Sequence, residues 1–208
     1  MRSRKKKWAE PFMAAHAEYF PADFAFLKGQ SPLYLEIGCG KGDFALAMHS
    51  KLPGCYLAID RDHSVLATAG RKAFDAKATG IYFAPGDFDF LGPKFAEEGL
   101  RFKTIFVNFP DPWPKKRHHK RRLTFAPRLK AMASLLSEGG AIAFKTDNAD
   151  LFEFSLEQAR QAGLEEAFVC LDYQVGEEDA VSEYEANFRR YGIPIRKAVF
   201  APKKEEGK

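Results

Sequence analysis

Leu33-Tyr34-Leu35-Glu36-Ile37-Gly38-Cys39-Gly40-Lys41-Gly42 reads as a buried strand that runs straight into a glycine-rich turn. Four of its first five residues are apolar, as in a strand covered on both faces. Helical spacing follows at once, with Phe44, Leu46, Ala47 and Met48 inside residues 43–51, until Pro53-Gly54 breaks it. The alternation then repeats. Residues 55–59, 81–84, 104–108 and 141–144 read as strands, separated by helical segments at 62–76, 93–98 and 124–136, with Gly139-Gly140 turning the chain before the fifth strand. A further helix at 150–162 precedes two last strands, 168–173 and 193–200, expected as antiparallel neighbours at one sheet edge. Upstream, residues 13–20 read as a short helix ended by Pro21. Strictly alternating β and α predicts an α/β fold: one open, mostly parallel sheet of seven strands, with helices on both faces.

In such sheets ligands sit beyond the carboxyl ends of the strands. The sequence places the glycine turn, Asp60, Asp87, Asp111 and Asp147 at five successive strand ends. Gly38-x-Gly40-x-Gly42 departs from the dinucleotide fingerprint, because its third glycine follows the second by two residues rather than three. The shorter turn suits a cofactor with no pyrophosphate to seat, and S-adenosylmethionine is one. Asp60, twenty-two residues after Gly38, stands where an acid accepts from ribose hydroxyls. Glu36 is costly inside an apolar strand unless paired or functional; a sulfonium or ammonium partner suits it, as would backbone donors of the glycine loop. Asp87 can meet an adenine edge, with Phe88 for stacking, or simply follow the turn Pro85-Gly86.

A second stretch, Val107-Asn108-Phe109-Pro110-Asp111-Pro112-Trp113-Pro114, follows the fourth strand. Three alternate prolines exclude helix and argue against an inner strand. In an extended chain Phe109, Asp111 and Trp113 would project to one side, a carboxylate between two aromatics that can hold a flat polar ring. The next eight residues, 115–122, carry six Lys/Arg, two His and no acid, as a phosphate-facing surface would.

Formal net charge is only +4, but it is unevenly placed. Residues 2–7 hold five Lys/Arg and 115–122 six; setting those eleven aside from 32 leaves 21 against 28 Asp/Glu. Such concentration is expected of a protein that presents a basic surface to a polyanion. Cys39, Cys55 and Cys170 share no metal spacing and read as reduced thiols of a cytoplasmic chain. No apolar run approaches the ~18 residues of a membrane span. His118 and His119 have no carboxylate at ligand spacing, so no metal is expected there.

The glycine turn with Leu35, Glu36 and Ile37, the block Phe109-Pro110-Asp111-Pro112-Trp113-Pro114-Lys115, the run Arg117-His118-His119-Lys120-Arg121-Arg122, Lys145-Thr146-Asp147 and Ser182-Glu183-Tyr184-Glu185 together resemble the bacterial tRNA (guanine-N7)-methyltransferase family. The resemblance implies a Rossmann-like class I S-adenosylmethionine-dependent methyltransferase acting on guanine 46 of the tRNA variable loop. The residues themselves lead to the expectation of a basic arm and short helix at 1–30, a methyltransferase domain at 31–202 and a polar tail at 203–208. The cofactor contacts implied are Glu36, Gly38, Gly40, Asp60, Asp87 and Asp111, with Asp111 also catalytic. Lys115, Asp147, Ser182, Glu183, Tyr184 and Glu185 are the implied substrate contacts. Arg117, His118, His119, Lys120, Arg121 and Arg122 form the implied RNA-interaction region. The expected assembly is a monomer or homodimer, with tRNA as partner and neither membrane nor metal. Asp60 stands where the family commonly has Glu, Ser182 where Thr is usual, and Asn108 where an apolar residue is usual. A methyltransferase acting on another nucleic-acid base is the nearest rival. An NAD-dependent oxidoreductase shares the glycine turn but leaves the basic block unexplained.

Overall fold

The computed structural model of the protein describes residues 6–203. Arg2, Arg4 and Lys5 of the expected arm, and residues 204–208 of the tail, lie outside the described residues. Among the described residues seven strands form one sheet: β1 (Leu33–Ile37), β2 (Cys55–Asp60), β3 (Ile81–Pro85), β4 (Phe102–Asn108), β5 (Leu136–Thr146), β6 (Leu164–Cys170) and β7 (Arg196–Pro202). Their spatial order is β3-β2-β1-β4-β5-β7-β6. Every pair is parallel except those of β7, which runs antiparallel to β5 and β6 at the end of the sheet where the last two strands were expected.

The helices are α1 (Ala9–Ala15), α2 (Asp43–His49), α3 (His63–Asp75), α4 (Phe88–Glu97), α5 (Ala126–Ser134), α6 (Ala149–Gln161) and α7 (Glu183–Arg190). Strand alternation sorts the core into two layers. Leu33, Leu35 and Ile37 of β1 join Phe95 of α4, Leu129 of α5 and Phe152 of α6 in one buried cluster. Tyr34, between them in sequence, joins Phe44, Met48, Leu66 and Ala69 from α2 and α3 in the other. Helices therefore cover both faces. Gly42 adopts φ +79°, and a Cβ there would lie 2.6 Å from that of Ala69, so the glycine lets α2 begin hard against α3.

Several boundaries differ from the sequence expectation, β6 at Leu164–Cys170 rather than 168–173 among them, and three differences have a local cause. The first helix is Ala9–Ala15 rather than 13–20. Pro11 falls in its first turn, whose N–H groups lack intrahelical partners anyway. Beyond it, the Tyr19 carbonyl accepts from Phe83 N (2.8 Å) on the outer strand β3. The fourth helix starts at Phe88, five residues before Pro93, because Asp87 caps it by accepting from Phe90 N at 3.0 Å. Gly139-Gly140 makes no turn: β5 runs through it, with a register shift against β4. A Cβ on Gly140 would lie 2.9 Å from the carbonyl oxygens of Phe102 and Ser137, so this glycine marks an irregularity in the ladder.

Candidate active site

The chain leaves β1 toward β2 and β3, then returns to β4 on the other side of β1, and a cleft of about 900 Å³ opens at this reversal. Its floor is the glycine turn. Gly38 and Gly40 have φ of +81° and +56°, and a Cβ added to either would meet nothing within 4 Å, so the backbone itself forms the wall. Asp60, ending β2, accepts from Gly40 N through Oδ2 and from Asp62 N through Oδ1, each at 2.9 Å. Two backbone donors fix this carboxylate and leave a lone pair on each oxygen.

Glu36 is 2% exposed and lines the same cleft. Its two oxygens accept from Asn108 Nδ2 and Tyr56 OH, both at 3.3 Å. Burial pushes its carboxyl up to about 8, against the pull of those two donors. Its partners are therefore side chains of β4 and β2, not the glycine loop. They account for Asn108, whose polar side chain ends the apolar strand β4.

The proline block closes one side. Phe109 and Trp113 adopt φ of +48° and +41°, so the segment is not simply extended as the proline spacing predicted. Phe109 stacks on Phe188 of α7 at 5.7 Å, while Trp113 meets His118 edge-on at 5.8 Å with Arg121 over its ring at 5.1 Å. Asp111 projects into the cleft mouth, two-thirds exposed, 3.5 Å from Arg61. The N-terminus of α7 forms a further part of the rim. Ser182 caps it by accepting from Glu185 N (3.1 Å), and Glu183 pairs with Lys41 of the glycine turn at 2.8 Å.

Ten of the expected residues thus share one cleft: Glu36, Gly38, Gly40, Asp60, Asp87, Asp111, Arg121, Ser182, Glu183 and Tyr184. Others go elsewhere. Lys115 is exposed beside the cleft, and the Asp147 carbonyl accepts from Arg196 at 2.8 Å. Glu185 is fully buried between Lys145 (3.3 Å) and Arg189 (2.7 Å), behind the rim rather than on it. The basic run forms a 3-10 turn, Lys116–Arg121, with Lys116, Arg117, Lys120 and Arg121 exposed and His118 and His119 half-buried. Arg122 is the exception. It is 3% exposed, donates to the Pro112 carbonyl at 2.8 Å and lies 4.5 Å over the Phe154 ring, so its side chain packs against the protein.

Comparison with known proteins covers nearly the whole chain. Residues 30–198 match the family profile described as "Putative methyltransferase". The chain is 39% identical over 209 residues to the tRNA (guanine-N(7)-)-methyltransferase of Bacillus subtilis (strain 168), across 95% of this chain and 97% of that one. It belongs to the tRNA (guanine-N7)-methyltransferase family. The relative of that name from Limosilactobacillus reuteri (strain DSM 20016) is also 39% identical, over 96% of this chain and 98% of its own. In fold the chain resembles the crystallised N-methyltransferase NodS from Bradyrhizobium japonicum, a complex with S-adenosyl-L-homocysteine, at TM-score 0.55 and 17% identity over 94% and 87% of the two chains.

Within this member of the family, sequence reasoning passed over Tyr56, Arg61 and Lys41, whose partners lie across strand register or across the cleft. Glu36 and Asn108 are 72 positions apart, and only the β1–β4 register, which sets Glu36 beside Phe106, brings them together.

Proposed function

We propose that the protein transfers the methyl group of S-adenosylmethionine to N7 of guanine 46 in the variable loop of tRNA. The observation that carries this reading is one cleft holding a glycine turn, Glu36, Asp60 and Asp111, with an exposed cationic turn on the chain just beyond Asp111. A cleft of about 900 Å³ suits a ligand of nucleoside size with part of a second one. The donor set fits this cofactor: open space over Gly38 and Gly40, free lone pairs on a pinned Asp60, and a buried acid at Glu36 that a cation would re-ionise. When bound, S-adenosylmethionine supplies an electrophilic methyl group.

The chain's own task is then to place a purine and hold charge. Guanine N7 has an in-plane lone pair and no proton, so no side chain has to remove one. Asp111 accepts from the N1–H and exocyclic amine of the base, and its negative charge offsets the positive charge that methylation leaves on the purine. Alignment of the two reactants supplies up to ~7–11 kcal/mol in favourable cases. Lys116, Arg117, Lys120 and Arg121, which are exposed, grip phosphates and offset the few kcal/mol of exposing a base from a folded core.

The test is incubation of the protein with unmodified tRNA and labelled S-adenosylmethionine, followed by borohydride and aniline treatment. Label in the RNA with strand scission at nucleotide 46 is the expected result. Label at another base, or none, overturns the reading.

A further inference from the structure

We propose that Arg128 is a positioning residue for this reaction: it fastens the cationic turn Lys116–Arg121 to helix α4, so the surface that grips RNA is built onto the wall of the cofactor cleft. The inference rests on the tRNA reading above. Arg128 lies in α5, outside the basic run, and its four bonds all go to groups of two other segments of the chain. Nε and Nη2 donate to Oδ1 and Oδ2 of Asp89, each at 2.6 Å, in a two-pronged pair. Nη1 donates to the carbonyls of Lys120 (2.7 Å) and Arg122 (3.1 Å), at the end of the turn. Asp89 is in the first turn of α4, two residues after the capping Asp87 that lines the cleft. Asp89 is more than half exposed, so the ion pair contributes little stability by itself. Its content is geometric. A planar fork fixes both the carboxylate and the carbonyls, which a lysine ammonium cannot do. The hydrogen bonds from Arg128 also hold the Asp89 carboxyl below its ordinary range.

Charge and position make opposite forecasts for one substitution. Asp89→Asn raises the formal net charge from +4 to +5. If the protein bound RNA as a diffuse cation, that variant would bind tRNA at least as tightly as wild type. If Arg128 positions the turn, it binds more weakly although it is more positive. The experiment measures tRNA affinity by filter binding across a salt series, and KM against kcat, for wild type, Asp89→Asn, Asp89→Glu and Arg128→Lys. Melting temperature and S-adenosylhomocysteine affinity serve as controls of folding. The expected result is a three- to tenfold rise in Kd and KM for tRNA in Asp89→Asn and in Arg128→Lys, which keeps the charge and loses the fork. Asp89→Glu should recover part of the loss, with kcat at saturating tRNA within about threefold in all. Unchanged or tighter tRNA binding by Asp89→Asn, or wild-type KM in Arg128→Lys, overturns the proposal. Wild-type protein that neither binds nor labels tRNA overturns the functional reading instead, and this inference with it.

Discussion

At Glu36 the cost of burial and the demands of a cationic ligand meet on one carboxyl. Its folded value of about 8 stands above the ordinary 4.5, so the stability it contributes is complete below pH 4.5 and is lost as pH rises through 8. Glu36→Gln removes the ionisation and keeps partners for Asn108 and Tyr56. Its melting temperature should match wild type near pH 4.5 and exceed it by several degrees at pH 9, while cofactor affinity falls at least tenfold. A melting difference that does not change with pH would refute this account. Asp111 poses the complementary question, orientation against proton removal. Because N7 carries no proton, Asp111→Asn should keep more activity than Asp111→Ala through its carbonyl, with the alanine variant losing about 10²–10³-fold in kcat. Equal losses would argue against recognition of the base edge. Glu36 was legible in the sequence as an acid inside an apolar strand. Its partners were not, since Tyr56 and Asn108 reach it from neighbouring strands 20 and 72 residues away.

Among the elements, α7 forms a rim of the cleft while its own anchorage lies underneath. Lys145, at the end of β5, reaches Asp179 (2.9 Å), Glu185 (3.3 Å) and the Ala180 carbonyl (3.0 Å), and Lys197 of β7 shares Asp179 at 2.7 Å. Burial would raise the Asp179 carboxyl, yet Lys145 and Lys197 hold it down at about 2. Its stabilisation is therefore present above about pH 3.8 and is lost as pH falls toward 2. Removing one member of such a buried set leaves uncompensated charge, at about 3–5 kcal/mol. Lys145→Met should lose that much in urea unfolding and raise KM for tRNA through a displaced α7 N-terminus; a loss under about 1 kcal/mol would show that the network carries little. Apolar runs disclosed the strands. They did not disclose that Glu185 turns inward, because a helix's buried face depends on what it lands on. Nor did the diglycine read as strand, since Gly139-Gly140 is also what a turn looks like.

For the molecule as a whole, the decisive property is where positive charge ends up once the chain is folded. Sequence counts put six cations in residues 115–122, yet burial divides them by role. Lys116, Arg117 and Lys120 are exposed, whereas Arg122 is nearly inaccessible, desolvation lowers its guanidinium's basicity, and its bond to Pro112 holds the residue next to Asp111. Salt dependence separates the two roles, because every cation removed from a phosphate lowers the slope of log affinity against log salt by about 0.7–0.9. Lys116→Gln, Arg117→Gln and Lys120→Gln combined should lower that slope by about 2, weaken tRNA binding by more than tenfold at low salt, and leave cofactor affinity within twofold of wild type. Arg122→Gln should change the slope by less than 1 and instead lower kcat at saturating tRNA by more than tenfold, because it loosens the loop that carries Asp111. If Arg122→Gln lowered the slope as a phosphate-binding cation does and left kcat intact, its side chain would have to leave Pro112 and turn outward in the complex, and the buried geometry would describe only the RNA-free protein.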